Sequence, residues 1–164
     1  MTELYFEDYH VGLKFKTNGR TITEADIVNY AYLSGDWFPL HIDAEYARKT
    51  IFGERVAHGL LTITIASGLL VNRGLISPHS FIALLGLNNV RFKRPVKIGD
   101  TLNVEAEVTS KEEKDETKGI IVIRSTVRNQ KEDDVATFDL VALLKKRPTE
   151  AQSVGPMSAR VAFL

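Results

Sequence analysis

The chain has 164 residues, 44% of them hydrophobic and 26% charged, and no cysteine. That is the composition of one globular domain long enough to bury a core, and it excludes disulfide frameworks, thiol nucleophiles, thiolate zinc sites and iron–sulfur clusters. Its 21 basic residues balance 21 acidic ones, so it has no electrostatic footprint for a polyanion and nucleic acid is not an expected partner. The remaining chemistry must come from carboxylates, hydroxyls, amides and four histidines.

The acidic start, Met1-Thr2-Glu3-Leu4-Tyr5-Phe6-Glu7-Asp8, lacks the basic and then apolar pattern of a signal peptide. The longest apolar stretch, 56–71, is interrupted by His58, Gly59, Thr62, Thr64, Ser67 and Gly68 and is too short to span a bilayer. A cytoplasmic location and no membrane partner are expected.

Residues 1–22 mix Tyr5, Phe6, Tyr9 and Phe15 with glycines and read as a short strand or an extended lead-in. A helix starts next. Thr23 is its N-cap, Glu24 and Asp26 complement the dipole in the first turn, and Ile27, Tyr30, Ala31 and Leu33 recur at helical spacing up to a stop at Ser34-Gly35. The segment 36–42 is irregular, with Pro39 forcing Phe38 toward extended backbone. Asp43 caps a further short helix over 44–50.

After a Phe52-Gly53 turn, the spacing predicts a helix over 56–73. On a wheel of 100° per residue, Leu60, Leu61, Ile63, Ile65, Ala66, Leu69 and Leu70 spread around most of the circumference, which leaves no wide polar face. A helix of about 17 residues is roughly 25 Å long, and one flat neighbour cannot cover all its sides. A curved sheet around it, with a second subunit or extra helices closing the rest, meets the need.

The second half supplies the strands. Residues 81–96 hold apolar and β-branched runs, 97–100 form a turn, and 101–109 alternate strictly, with Leu102, Val104, Ala106 and Val108 on one face. The charged stretch 111–118 reads as a solvated hairpin turn. Strands over 120–129 and 135–146 follow, separated by a polar turn. A tail of small residues begins at 148, with Val161, Ala162, Phe163 and Leu164 apolar enough to dock. Helices first and antiparallel strands after them give an α+β class, one sheet around one central helix.

Among the histidines, His41 follows Asp36 by five residues in a loop bounded by Gly35 and Pro39, so both side chains can face one cavity. Together they read either as a general acid and base pair or as a turn-capping carboxylate and a satisfied polar residue beneath the long helix. His58 reads as capping or packing at the start of that helix. Gly59 beside it either offers its amide to a developing oxyanion or permits close approach of another backbone. Ser67 lines a pocket or bonds back to a carbonyl one turn earlier. His10 and His79 have no partner at useful spacing. No His-x-x-x-His pair, phosphate-binding glycine loop or Gly-x-Ser-x-Gly elbow is present, which leaves proton transfer with an activated water.

The run Tyr32-Leu33-Ser34-Gly35-Asp36-Trp37-Phe38-Pro39-Leu40-His41, followed by Phe52-Gly53-Glu54-Arg55-Val56-Ala57-His58-Gly59-Leu60, resembles the MaoC-like, (R)-specific enoyl-CoA hydratases of the hot-dog fold. Thr23-Glu24-Ala25-Asp26 and the stretch 91–102 are similar to the same family, so the resemblance covers about residues 5–145. It implies a single hot-dog domain over 1–147, an antiparallel sheet wrapped around a long central helix, with a tail over 148–164. It further implies Asp36 and His41 as the catalytic pair, Gly59 as the oxyanion donor and Ser67 as a pocket residue. The substrate would be an acyl-CoA thioester, with no metal and no redox cofactor, and the assembly a homodimer or a higher homo-oligomer. Arg91, Lys93 and Arg94 become candidate partners for the CoA phosphates, or form a solvated basic strand end. The family signature has Asn where this chain has Phe38, so Phe38 and Trp37 become candidate walls of the acyl pocket. A hot-dog thioesterase and a non-catalytic acyl-CoA-binding module are the rival readings; the first is disfavoured because 60–72 contain no Asp or Glu.

Overall fold

The computed structural model describes residues 3–148; the expected tail, with its apolar end, lies beyond Pro148 and so outside the described residues. A single turn of 3-10 helix over Phe6–Asp8 leads into two short strands, β1 (Lys14–Lys16) and β2 (Arg20–Thr21). Helices α1 (Glu24–Ser34), α2 (Pro39–Ile42), α3 (Ala44–Arg48) and α4 (Gly59–Asn72) follow, and then strands β3 (Phe81–Phe92), β4 (Thr101–Glu113), β5 (Lys118–Arg128) and β6 (Asp134–Lys145). The sheet order is β1-β4-β5-β6-β3, with β2 also on β4 and every pairing antiparallel.

Local chemistry explains the boundaries. α1 opens on a reciprocal capping box in which the Asp26 amide donates to Thr23 Oγ1 and the Thr23 amide donates to Asp26 Oδ2. It closes at Gly35, whose φ of 74° lies in the left-handed region. Asp43 caps α3 by accepting from the Glu45 and Tyr46 amides. The irregular segment contains one regular turn, α2, because Pro39 at its first position has no amide to satisfy and already holds a helical φ.

Several boundaries differ from the sequence reading: α3 ends at Arg48 rather than 50 and β3 at Phe92 rather than 96, and two further differences have a visible cause. The long helix starts at Gly59 rather than at 56, because Val56 forms a bridge with Lys97 and the Ala57 amide donates to the Val96 carbonyl. Pairing across the chain claims these residues before the helix can. The charged stretch 111–118 is not all turn: β4 continues to Glu113 through the pairs Lys111↔Ile121 and Glu112↔Ile120. Only 114–117 reverse the chain, tied by Asp115, which accepts from the Thr117 and Lys118 amides.

The core lies between α4 and the inner face of the sheet. Leu102, Val104, Ala106 and Val108 of β4 are all buried, as their alternation requires, and face Leu61, Ile65, Ala66, Leu69 and Leu70 of α4 in one cluster. One stripe of α4 stays uncovered: Leu60 is 63% exposed and Val71 51% exposed, with Thr64 and Gly68 exposed on the same stripe. The edge strand β3 is also bare, with Ile82, Leu84, Leu85 and Leu87 all exposed. No helix among the described residues is long and apolar enough to cross a membrane.

Candidate active site

The site forms where the chain leaves α1. After Gly35 the Asp36 amide donates to Ser34 Oγ, and the Asp36 carboxylate accepts from the Phe38 amide at 3.2 Å. It is the backbone of Phe38, not its side chain, that orders the carboxylate, so an apolar ring at this position leaves that hold in place. The Phe38 ring instead meets the edges of His41 and Tyr46, while Trp37 packs edge-on against Tyr32.

His41 projects from α2. Its Nδ1 lies 2.7 Å from the carbonyl oxygen of Val56. A carbonyl only accepts, so Nδ1 carries the proton and Nε2 keeps its lone pair, the form a general base needs. The His58 ring stacks on His41, with centroids 3.8 Å apart and planes 29° apart. Asp36, His41 and His58 each bring one nitrogen or carboxylate oxygen within 4.8 Å of the others.

One carboxylate and two imidazoles form a donor set that a divalent ion accepts. Here His41 Nδ1 and His58 Nε2 are already committed to backbone carbonyls, and the remaining His58 nitrogen is buried.

Beside His41 lies a cleft of about 370 Å³, bordered by Val56, Gly59, Thr62, Phe92, Lys93 and Arg94. Gly59 is the first residue of α4, so its amide has no acceptor within the helix and sits at the positive end of the dipole. No acidic side chain occupies that first turn. A side chain at 59 would place its Cβ 2.9 Å from the Phe92 ring, which is why glycine stands there. Gly59→Ala is therefore expected to push Phe92 into the cleft and lower kcat/KM about 10- to 100-fold, checked by steady-state kinetics beside a thermal melt.

Other expected residues fall less centrally. Ser67 is half-buried two turns along α4 and does not border the cleft; Thr62 does, its hydroxyl donating to the His58 carbonyl. Lys93 and Arg94 pair with Asp134 and Asp133 at 3.2 and 3.5 Å on the surface, weak pairs that an incoming phosphate can replace. Arg91 donates to the Val90 carbonyl and lies outside the cleft border. A hollow of about 460 Å³ over β1, β4 and β5 holds none of these groups, and its lysines pair with Glu105 and Glu107.

The side chain that sequence reasoning underrated is His58. It occupies the N-cap position of α4 but makes no capping bond. It is 2% exposed, and its Nε2–H donates to the Asp36 carbonyl at 3.0 Å. The available signal was its type, since histidine is a poor N-cap compared with Ser, Thr, Asp or Asn. Burial pushes its pKa below the ordinary 6.5; neighbouring His41 adds to this, while the Asp36 carbonyl and carboxylate oppose it.

The unfolded chain thus takes up a proton near pH 6.5 that the folded chain still refuses. Stability is expected to fall as pH drops through that window and to level off below the depressed folded value. Urea denaturation between about pH 7 and pH 5 should show this slope in the wild type and a smaller one in His58→Gln.

Residues 8–130 match the family profile described as MaoC like domain. The chain is 50% identical over 100 residues to Protein MaoC of Klebsiella aerogenes, an alignment covering 61% of this chain and 29% of that protein. It is 40% identical over 105 residues to a 3-hydroxybutyryl-CoA dehydratase of Methylorubrum extorquens, covering 64% of each. It is 39% identical over 105 residues to an (R)-specific enoyl-CoA hydratase of Rhodospirillum rubrum, covering 64% of this chain and 69% of that one. The chain therefore spans under a third of the Klebsiella protein and just under two thirds of the Methylorubrum enzyme. Among solved structures, a monoamine oxidase regulatory protein from Archaeoglobus fulgidus superposes with a TM-score of 0.85 at 43% identity, covering 89% of this chain and 97% of that one.

Proposed function

The chain belongs to the MaoC-like domain family, and from that membership we propose that it adds water across the double bond of a trans-2-enoyl-CoA to give an (R)-3-hydroxyacyl-CoA, or runs the reverse dehydration. The observation that carries this reading is the convergence of the Asp36 carboxylate with a His41 ring whose Nδ1 is fixed on the Val56 carbonyl, beside the free amide at the start of α4. The names of the Methylorubrum and Rhodospirillum relatives support the same chemistry.

The geometry suits one water held between Asp36 and His41. The pair takes one proton from that water as its oxygen bonds to C3 of the enoyl group, and returns one proton to C2, so the sum is water across C2=C3 with no net change in protons. Negative charge that develops on the thioester oxygen is met by the Gly59 amide and the helix dipole. Lys93 and Arg94, which line the cleft, offer charge for the CoA phosphates. The bare β3 edge and the open stripe of α4 support assembly with a second copy.

The test is a panel of enoyl-CoA thioesters from crotonyl-CoA upward. Loss of the enoyl absorbance, with a 3-hydroxyacyl-CoA product of (R) configuration, is the expected result. Free CoA released without hydration would replace this reading with a thioesterase. Tight binding without turnover across the panel would replace it with a binding module.

A further inference from the structure

Asp36 and His41 lie on a short segment between two helices, and neither could hold a reacting water if that segment moved. His58 belongs to a different part of the chain, the residue before α4, and reaches both. Its Nε2–H holds the Asp36 carbonyl at 3.0 Å, and the face of its ring lies 3.8 Å from that of His41. On the other side it meets Tyr30 of α1, with centroids 4.9 Å apart. The ring is thus packed between an aromatic residue and the candidate base.

Stability alone does not explain a histidine here. The ring gives up the stabilising helix-capping bond that Ser, Thr, Asp or Asn would make. It also buries Nδ1 with no hydrogen-bond partner among the described residues, a desolvation cost that nothing offsets. The ring brings a donor pointing at Asp36 and a flat face lying under His41.

We propose that His58 is a positioning residue for the water-adding pair: its Nε2–H fixes the Asp36 loop, and its ring fixes the plane of His41. It acts only through these two residues and does not touch substrate. The proposal rests on the hydration reading above, deepening the account of the same site.

The titratable groups facing the His58 ring are Asp36 and His41 from the 36–42 segment and Tyr30 from α1. A second proton on the ring would sit on Nδ1, where no acceptor is available, beside a His41 that must itself accept a proton. The depressed pKa from burial agrees with a ring that stays neutral.

Two variants of similar size separate the two contacts. In His58→Gln the side-chain amide can still donate to the Asp36 carbonyl but the stacked ring is lost; in His58→Phe the ring remains but the donor is lost. Each is expected to lower kcat about 10- to 100-fold with KM within about threefold, the size of effect seen for groups that orient a reacting group from behind. Wild-type kcat in either variant, or a loss confined to KM, overturns the proposal.

Nitrogen-15 NMR of histidine-labelled wild-type protein gives a readout that needs neither variant nor turnover. His58 is expected to remain a neutral Nε2–H tautomer as the pH is lowered through the ordinary imidazole value. Titration of its ring near the ordinary imidazole value, or an Nδ1–H tautomer, overturns the proposal. Because this spectrum is independent of substrate, failure of the enoyl-CoA panel would remove the hydration reading and would still be told apart from failure of the His58 assignment.

Discussion

Asp36→Asn and His41→Ala are each expected to reduce hydration of crotonyl-CoA about 100- to 10,000-fold, the usual contribution of a positioned acid or base, while leaving the circular dichroism spectrum unchanged. Asn keeps the size of Asp36 and an oxygen that can still accept from the Phe38 amide, so the loop keeps its shape and only the charge is removed. Ala at 41 removes the ring nitrogen facing Asp36 together with the Nδ1 bond to the Val56 carbonyl. His41 is half-buried at the edge of the core rather than within it, and the hydrophobic cluster between α4 and the sheet does not include it. Turnover within tenfold of wild type in either variant would remove the pair from the mechanism. A loss that appeared only in KM would turn the two residues into substrate contacts, because proton transfer is felt in kcat.

The second large effect concerns assembly. The wild-type protein is expected to sediment at about twice the 18.3 kDa of the chain, and Leu85→Glu at the mass of one chain. Among the described residues β3 has β6 on one side and no strand on the other, and it carries Ile82, Leu84, Leu85 and Leu87 between 39% and 50% exposed. A 12-residue apolar edge of this kind invites pairing, and chains that remain single usually blunt it with charge, proline or a covering loop. From 81 to 90 there is no charge and no proline. The uncovered stripe of α4, with Leu60 and Val71 exposed, is a second apolar surface that a partner copy can cover. Leu85 is exposed in the single chain, so Glu there costs the fold little. Burying that unpaired carboxylate in an interface costs about 3 to 5 kcal/mol, which weakens association by about 100- to 5,000-fold. A wild-type protein that sediments as one chain at micromolar concentration, or a Leu85→Glu protein that remains a dimer, would rule out this face as the interface.

Much of this protein can be read in its residues because much of it is decided locally. The Thr23 cap with Asp26 three residues on, the Gly35 stop, the Asp43 cap and the strict alternation of β4 each depend on neighbours within one or two turns. The apolar circumference of α4 announced a helix that one layer could not cover, and the chain indeed leaves Leu60 and Val71 bare. Asp36 and His41 were legible as a candidate pair, since a separation of five residues keeps them near one another along the chain.

What remained hidden depends on groups distant in sequence. The tautomer of His41 is set by the carbonyl of Val56, 15 residues away, and the hold on the Asp36 backbone carbonyl comes from His58, 22 residues away. Val56 and Ala57 leave the helix because Val96 and Lys97, in the connection between β3 and β4, pair with them. Thr62 rather than Ser67 borders the cleft, because which face of α4 meets the opening is fixed by how the sheet packs and not by the helix's own period. The sequence by itself determined most of the elements and the class of fold, and it singled out Asp36 and His41 as a candidate pair, since caps, periodicity and short connections act over a few residues. Only the tertiary structure decided which proton each ring carries, which amide faces the cleft and which surfaces stay bare, because each of these depends on a contact between segments that the chain brings together only when it closes.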